Sequence, residues 1–262
     1  MTMYREVGLA LVDLGDDLHP RADKRYHLLA ATDARLAMVP VPDSRLKRAD
    51  LSLLGLYLDD VPDFEAENEA ILLLRAHARD PEDLKRKESI STLVPFGVTA
   101  RGQAAGTGMR VVFRNLIFQD TLEVAVRLVE VDASLRSDYE RVRSLLGGIE
   151  PLAVLDPFLG MPLVGVATRL AERVVETYGG GGDRTWGSGD RATLPPLDTE
   201  PGPGGAFLRS GIYVAYEQTG HAGPVGVRDL FFEDGRVLAA DGGPPPCTCL
   251  AFSLRLRPLL DA

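Results

Sequence analysis

Residues 109–132 read MRVVFRNLIFQDTLEVAVRLVEVD, and the way this stretch folds decides the class of the chain. Val111 and Phe113, then Leu122, Val124, Val126, Leu128 and Val131, are strong β-formers with polar residues between them. That is the period-two pattern of half-buried strands. Met109 to Asp120 and Leu122 to Asp132 are therefore expected to form a strand pair.

The pattern changes directly after it. Ser137-Asp138-Tyr139-Glu140 has the spacing of a capping box, in which serine and glutamate satisfy free amides of a first helical turn. Leu135, Tyr139, Val142 and Leu146 then share one helical face, and Gly147-Gly148 supplies a left-handed stop. A second helix begins either at Asp156-Pro157 or at Pro162. Its apolar face holds Leu163, Val166, Leu170, Val174 and Tyr178, and Gly179 to Gly182 ends it. The expectation is an α-helical hairpin inserted at 134–182. It would either cover a sheet edge or face, or serve as a partner-contact or membrane-contact surface built on those five residues. A span is not expected, because Glu150, Pro151, Asp156, Pro157 and Pro162 interrupt the roughly 20 apolar residues that one needs.

Everywhere else the chain reads as β. Strands are expected at Glu6–Leu14, Leu36–Val39 and Leu51–Leu58, with another starting near Ile71. Asp80 to Ser91 reads as a loop or short helix. Thr92 to Ala100 reads as an edge strand, because Pro95 and Gly97 suit an edge. Further strands fall at Asp183–Leu194, which carries Trp186, and at Gly205–Gln218 with a bend at Gly211. Val225–Phe232 and Arg236–Ala240 form a hairpin around Asp234-Gly235, and Cys247–Arg257 is the final strand. About ten strands at irregular spacing indicate an all-β sandwich. Residues 1–79 are either part of that sandwich or a small separate β unit, and 80–262 are the sandwich proper with its helical insertion.

The strand pair, the insertion after it and the later strand around Gly211-Ile212-Tyr213-Val214 resemble a C2-like β-sandwich domain over roughly Ile71 to Arg257. The resemblance implies a module that binds lipid or protein. Membrane-targeting members of that family hold calcium with aspartates on adjacent loops. The acidic candidates here are Asp59, Asp60 and Asp63 on one loop, with Asp234, Glu233 and Asp241 near another. Carboxylates suit a hard cation, but acidic residues at strand ends are also ordinary turn formers.

Composition narrows the partners. A chain of 262 residues with 45% hydrophobic and 26% charged residues can bury a large core. A net charge of -9 disfavours nucleic acid, whose phosphates must be matched by Lys and Arg. The basic runs Arg45-Leu46-Lys47-Arg48 and Lys85-Arg86-Lys87 read as solvated loops. Cys247 and Cys249 are not expected to bridge, and the lack of a disulfide framework fits a reducing compartment. With no signal-peptide pattern at Met1 to Val12, the expected location is cytoplasmic. The Arg-, Gly-, Leu- and Asp-rich, Lys-poor usage suits a bacterial, high-GC chain.

A search for chemistry returns little. His19, His27, His77 and His221 are scattered, with no metal-ligand pairing among them. There is no G-x-S-x-G elbow, and neither glycine cluster is followed by a phosphate-loop lysine. A Cys nucleophile with His221 would need an electropositive pocket. The sequence thus points to a non-enzymatic protein-binding or assembly module without cofactor, acting through a protein partner or self-association. Small molecules are not expected as ligands. The alternatives are a membrane-acting protein that uses 145–175 to contact lipid, and an enzyme whose catalytic residues are scattered along the chain.

Overall fold

The computed structural model describes residues 5–17, 19–31, 46–57, 67–79, 82–100, 104–105, 110–119, 121–130, 185–186, 197–198, 206–219 and 226–259. These residues are all-β, with 66% in strands. The strands are β1 (Arg5–Val12), β2 (Tyr26–Ala30), β3 (Leu46–Tyr57), β4 (Glu67–Arg79), β5 (Lys87–Ala100), β6 (Ala104–Ala105), β7 (Arg110–Gln119) and β8 (Thr121–Glu130). They continue as β9 (Thr185–Trp186), β10 (Leu197–Asp198), β11 (Ala206–Phe207), β12 (Gly211–Thr219), β13 (Leu230–Glu233), β14 (Arg236–Ala239) and β15 (Cys249–Pro258). All pairings are antiparallel except that of β10 with β11.

The ladder has two sections. One runs β7-β3-β15-β12-β1-β2-β13-β14, and the other groups β5, β4 and β8 with the short β9, β10 and β11. Among the described residues a single bridge, Arg79 to Ile117, joins them. Strands from residues 1–79 interleave with later ones: β1 pairs with β12, and β3 lies between β15 and β7.

The first section rolls over on itself. The β1–β2 ladder is only Ala10 to Val12 against Leu28 to Ala30, and β2 meets β13 at two positions. Such short ladders let the sheet turn sharply. The far strand β14 comes to lie against β3, where a Cβ on Gly235 would stand 3.9 Å from the Leu54 carbonyl oxygen. Enclosed is a core of Ala10, Val12, Tyr26, Leu28, Tyr57, Ile212, Val214, Tyr216, Leu230, Phe232, Val237, Cys247, Cys249 and Ala251. The alternate residues Leu9, Leu11, Leu51, Leu53, Tyr213, Leu250, Phe252 and Leu254 are buried as well. The central strands are thus apolar on both faces. By contrast β4 buries Leu74, Ala76 and Ala78 while His77 is exposed, the signature of a one-sided strand. Antiparallel sheets arranged in this way are consistent with a sandwich-like fold.

One local device anchors the turn into β12. In Leu208-Arg209-Ser210-Gly211-Ile212-Tyr213, the Tyr213 hydroxyl donates to the Arg209 carbonyl at 2.7 Å and accepts from the Arg209 amide at 3.1 Å. This pair of bonds closes the corner on the strand that follows it. Burial pushes the phenol up to about 12, so it keeps its proton and remains a donor. Gly211 starts β12 and does not bend a longer strand, since β11 and β12 are separate elements.

Several expectations are corrected. β7 and β8 exist where expected but do not pair with each other: β7 pairs with β3, and β8 pairs with β4. Leu46-Lys47-Arg48 is not a solvated loop but the start of β3, with Lys47 buried. A lysine's four-carbon stem can lie along apolar surface, so charge alone did not mark a loop. Val227–Asp229 is a 3-10 turn, and the hairpin's first strand begins only at Leu230. The expected strand at Leu36–Val39 and the helical insertion at 134–182 lie outside the described residues.

Candidate functional site

The sequence-predicted residues fall mostly beyond the described part. Leu163, Val166, Leu170, Val174 and Tyr178 lie outside the described residues, and so do Asp59, Asp60, Asp63 and His221. Asp234 is described. It is the first central residue of the β13–β14 turn, with φ 47, followed by Gly235 with φ 76. Two consecutive positive φ values make this a type I′ turn, the connection whose twist matches a two-residue hairpin. The neighbouring acids have local roles too. Glu233 accepts from Arg25 Nε at 3.1 Å, and Asp241 Oδ1 accepts from the Gly243 amide at 2.8 Å. Among the described residues no three His, Cys, Asp or Glu side chains are grouped to hold a metal ion. No described helix is long and apolar enough to cross a membrane.

The most developed polar cluster is one that the sequence reading missed. β7 carries an extra residue opposite β3 between the pairs Ala49–Leu116 and Leu51–Phe113. At this bulge Asn115 takes φ 52, a left-handed value that asparagine tolerates better than most residues. Its amide donates to Asp50 Oδ1 at 2.9 Å. Arg257 Nη2, on β15, donates to Asp50 Oδ1 and Oδ2 at 2.8 and 2.6 Å and to Asn115 Oδ1 at 3.2 Å. The cluster ties together β7, β3 and β15. Asp50 receives donors on both oxygens, so the arrangement holds a bulge in register and does not present a free base. Its signal in the sequence is slight, an asparagine inside the apolar run Val111 to Phe118.

A second cluster lies on the β2–β13 surface. Arg25 stacks over Phe231 at 5.6 Å, and the His27 ring meets Phe231 at 4.7 Å. Nearby, Lys24 Nζ and the Tyr26 hydroxyl donate to Asp17 Oδ2 at 2.6 and 3.0 Å. These hydrogen bonds, Lys24's first, hold the Asp17 carboxyl below its usual range.

The two thiols are unbridged, as expected. Residues two apart on a strand share a face, and both Cys247 and Cys249 sit in the enclosed core. Their Sγ atoms stand 3.3 Å apart.

The remaining feature is a strand edge. β5 pairs with β4 from Lys87 to Ala100, and among the described residues that is its only ladder. Among the described residues Thr92 to Ala100 has the edge position expected, and the strand starts earlier, at Lys87.

No protein-family model, curated protein or solved structure matches the chain. The C2-like resemblance therefore stands on the antiparallel strand pattern alone.

Proposed function

We propose that the chain is a non-enzymatic protein-binding or assembly module built on a β-sandwich, and that it docks an extended segment of another chain along β5. The observation that carries this is the length of that edge. β5 runs over 14 residues with β4 as its only ladder partner among the described residues. An edge strand presents a row of amides and carbonyls that a further strand completes, and main-chain hydrogen bonds then supply affinity. Pro95 interrupts the donors of its second half, as edge strands that avoid indiscriminate pairing do. Docking is thereby directed to the start of the strand, where Lys87 and Ser89 are exposed. The incoming segment is either a second copy or a distinct protein.

Light scattering over a concentration series, with hydrogen exchange read across residues 87–94, tests this. Amides bonded to β4 exchange slowly from the start. The alternate ones become protected only as the chain associates with itself, or on adding an extract of the cells that make it. A monomer at every concentration whose β5 amides gain no protection in that extract removes the reading.

A further inference from the structure

Cys247 and Cys249 are the two cysteines of the chain, and both are buried thiols. Cys249 opens β15, opposite Tyr57 of β3 on one side and Tyr216 of β12 on the other. Cys247 lies at a bend that ends the run Pro244-Pro245-Pro246. In a regular strand two rises of about 3.3 Å would set the α-carbons near the upper limit for a disulfide. The bend shortens that path. The Sγ atoms come to 3.3 Å, and Cys249 Sγ donates to the Cys247 carbonyl at 3.5 Å.

We propose that Cys247 and Cys249 are a redox-active dithiol, converted by hydrogen peroxide into an intrachain disulfide and restored by thiol reductants. The bond length of about 2.05 Å asks the sulfurs to approach by about 1.2 Å, a movement that the bend at Cys247 absorbs more readily than the ladder at Cys249. Closing a three-residue loop removes little entropy from the unfolded chain, so the pair does not serve as a stabilising staple. Burial selects the oxidant. Cys247 is 5% exposed and Cys249 1%, so a small peroxide has access that a bulky disulfide lacks.

The steps balance. The Cys247 sulfur attacks the peroxide O–O bond, forming a sulfenic acid, and the departing oxygen takes the thiol's proton and leaves as water. The Cys249 sulfur then attacks the Cys247 sulfur, the S–S bond forms, and the sulfenic hydroxyl leaves as a second water with the Cys249 proton. Two thiols give up two electrons, and one peroxide becomes two waters. The product joins the end of the loop after β14 to the first residue of β15, inside the enclosed core.

The test uses the full chain and hydrogen peroxide, followed by acid quench, denaturation, alkylation and peptide mass mapping. The expected result is a peptide holding both cysteines that has lost the mass of two hydrogens. It resists alkylation, recovers with a thiol reductant, and forms to the same extent in dilute protein. In Cys249→Ser the reaction stops at a sulfenic acid on Cys247, trapped by a cyclic diketone. Two thiols that still alkylate after peroxide overturn the proposal. So does oxidation of either cysteine to sulfinic acid without a disulfide, or a bond between chains. The wild-type map decides the matter even if the serine variant fails to fold.

Discussion

The hairpin β13–β14 and the successive strands β7 and β8 pose the same problem and solve it differently. In each, two β segments follow one another closely. β13 and β14 are joined by Asp234-Gly235 and pair along their whole length, from Leu230–Ala239 to Glu233–Arg236. β7 and β8 are separated by Asp120 alone. A type I′ turn needs two central residues with left-handed dihedrals, and Asp234-Gly235 supplies them. The strands β7 and β8 instead part, β7 to β3 and β8 to β4. The hairpin is specified by its own turn. β7 and β8 are specified by partners distant in sequence, so their stability depends on the whole molecule.

Substitutions can break or sharpen this contrast. The largest effect is expected for Phe113→Ala in β7, where the ring is fully buried. Emptying that volume should cost about 3–5 kcal/mol and lower the denaturation midpoint of every part of the sheet together. Next comes Gly8→Ala on β1. A Cβ there would stand 2.6 Å from Tyr216 Cε2, and the buried ring has little room to retreat. Overpacking of this kind costs about 1–3 kcal/mol, measurable by denaturant titration. Gly235→Ala acts locally. Its φ of 76 is strained for an L-residue, at about 1–2 kcal/mol, and hydrogen exchange should report the loss first in β13 and β14. Global unfolding to the extent seen with Phe113→Ala would break the contrast.

The smallest effect is one of pH. Asp17 is depressed below its usual 3.8 by its hydrogen bonds. It therefore favours the folded state above that value, and its contribution disappears as the pH falls through its lowered pKa. Asp17→Asn should flatten the thermal midpoint against pH only in that acid range, and slightly, because exposed pairs contribute little.

The same contrast explains what could be read from the sequence. Alternation located β1, β3, β7, β8 and β15, and Asp-Gly located the hairpin. Alternation tells which face a residue takes but not which strand lies beside it, so the β7–β3 and β8–β4 pairings were out of reach. Charge misled at Lys47, whose stem is buried. The Asp50–Asn115–Arg257 cluster draws on three strands and one bulge, and no single segment announces it. The closeness of the two free thiols was not legible because the bend at Cys247 is a property of the chain path. The amphipathic faces at 134–182 lie outside the described residues.

The placement of β15 has a consequence for how the protein is made. Asp50 and Arg257, ion-paired across β3 and β15, are 207 positions apart. At about 5–20 residues per second on the ribosome, β3 emerges some 10–40 s before the strand that completes it. Through that interval the nascent sheet lacks a central member and offers an open, apolar side to its surroundings. Keeping that side covered, by a chaperone or by transient contacts within the young chain, is a condition that the finished topology imposes on the cell.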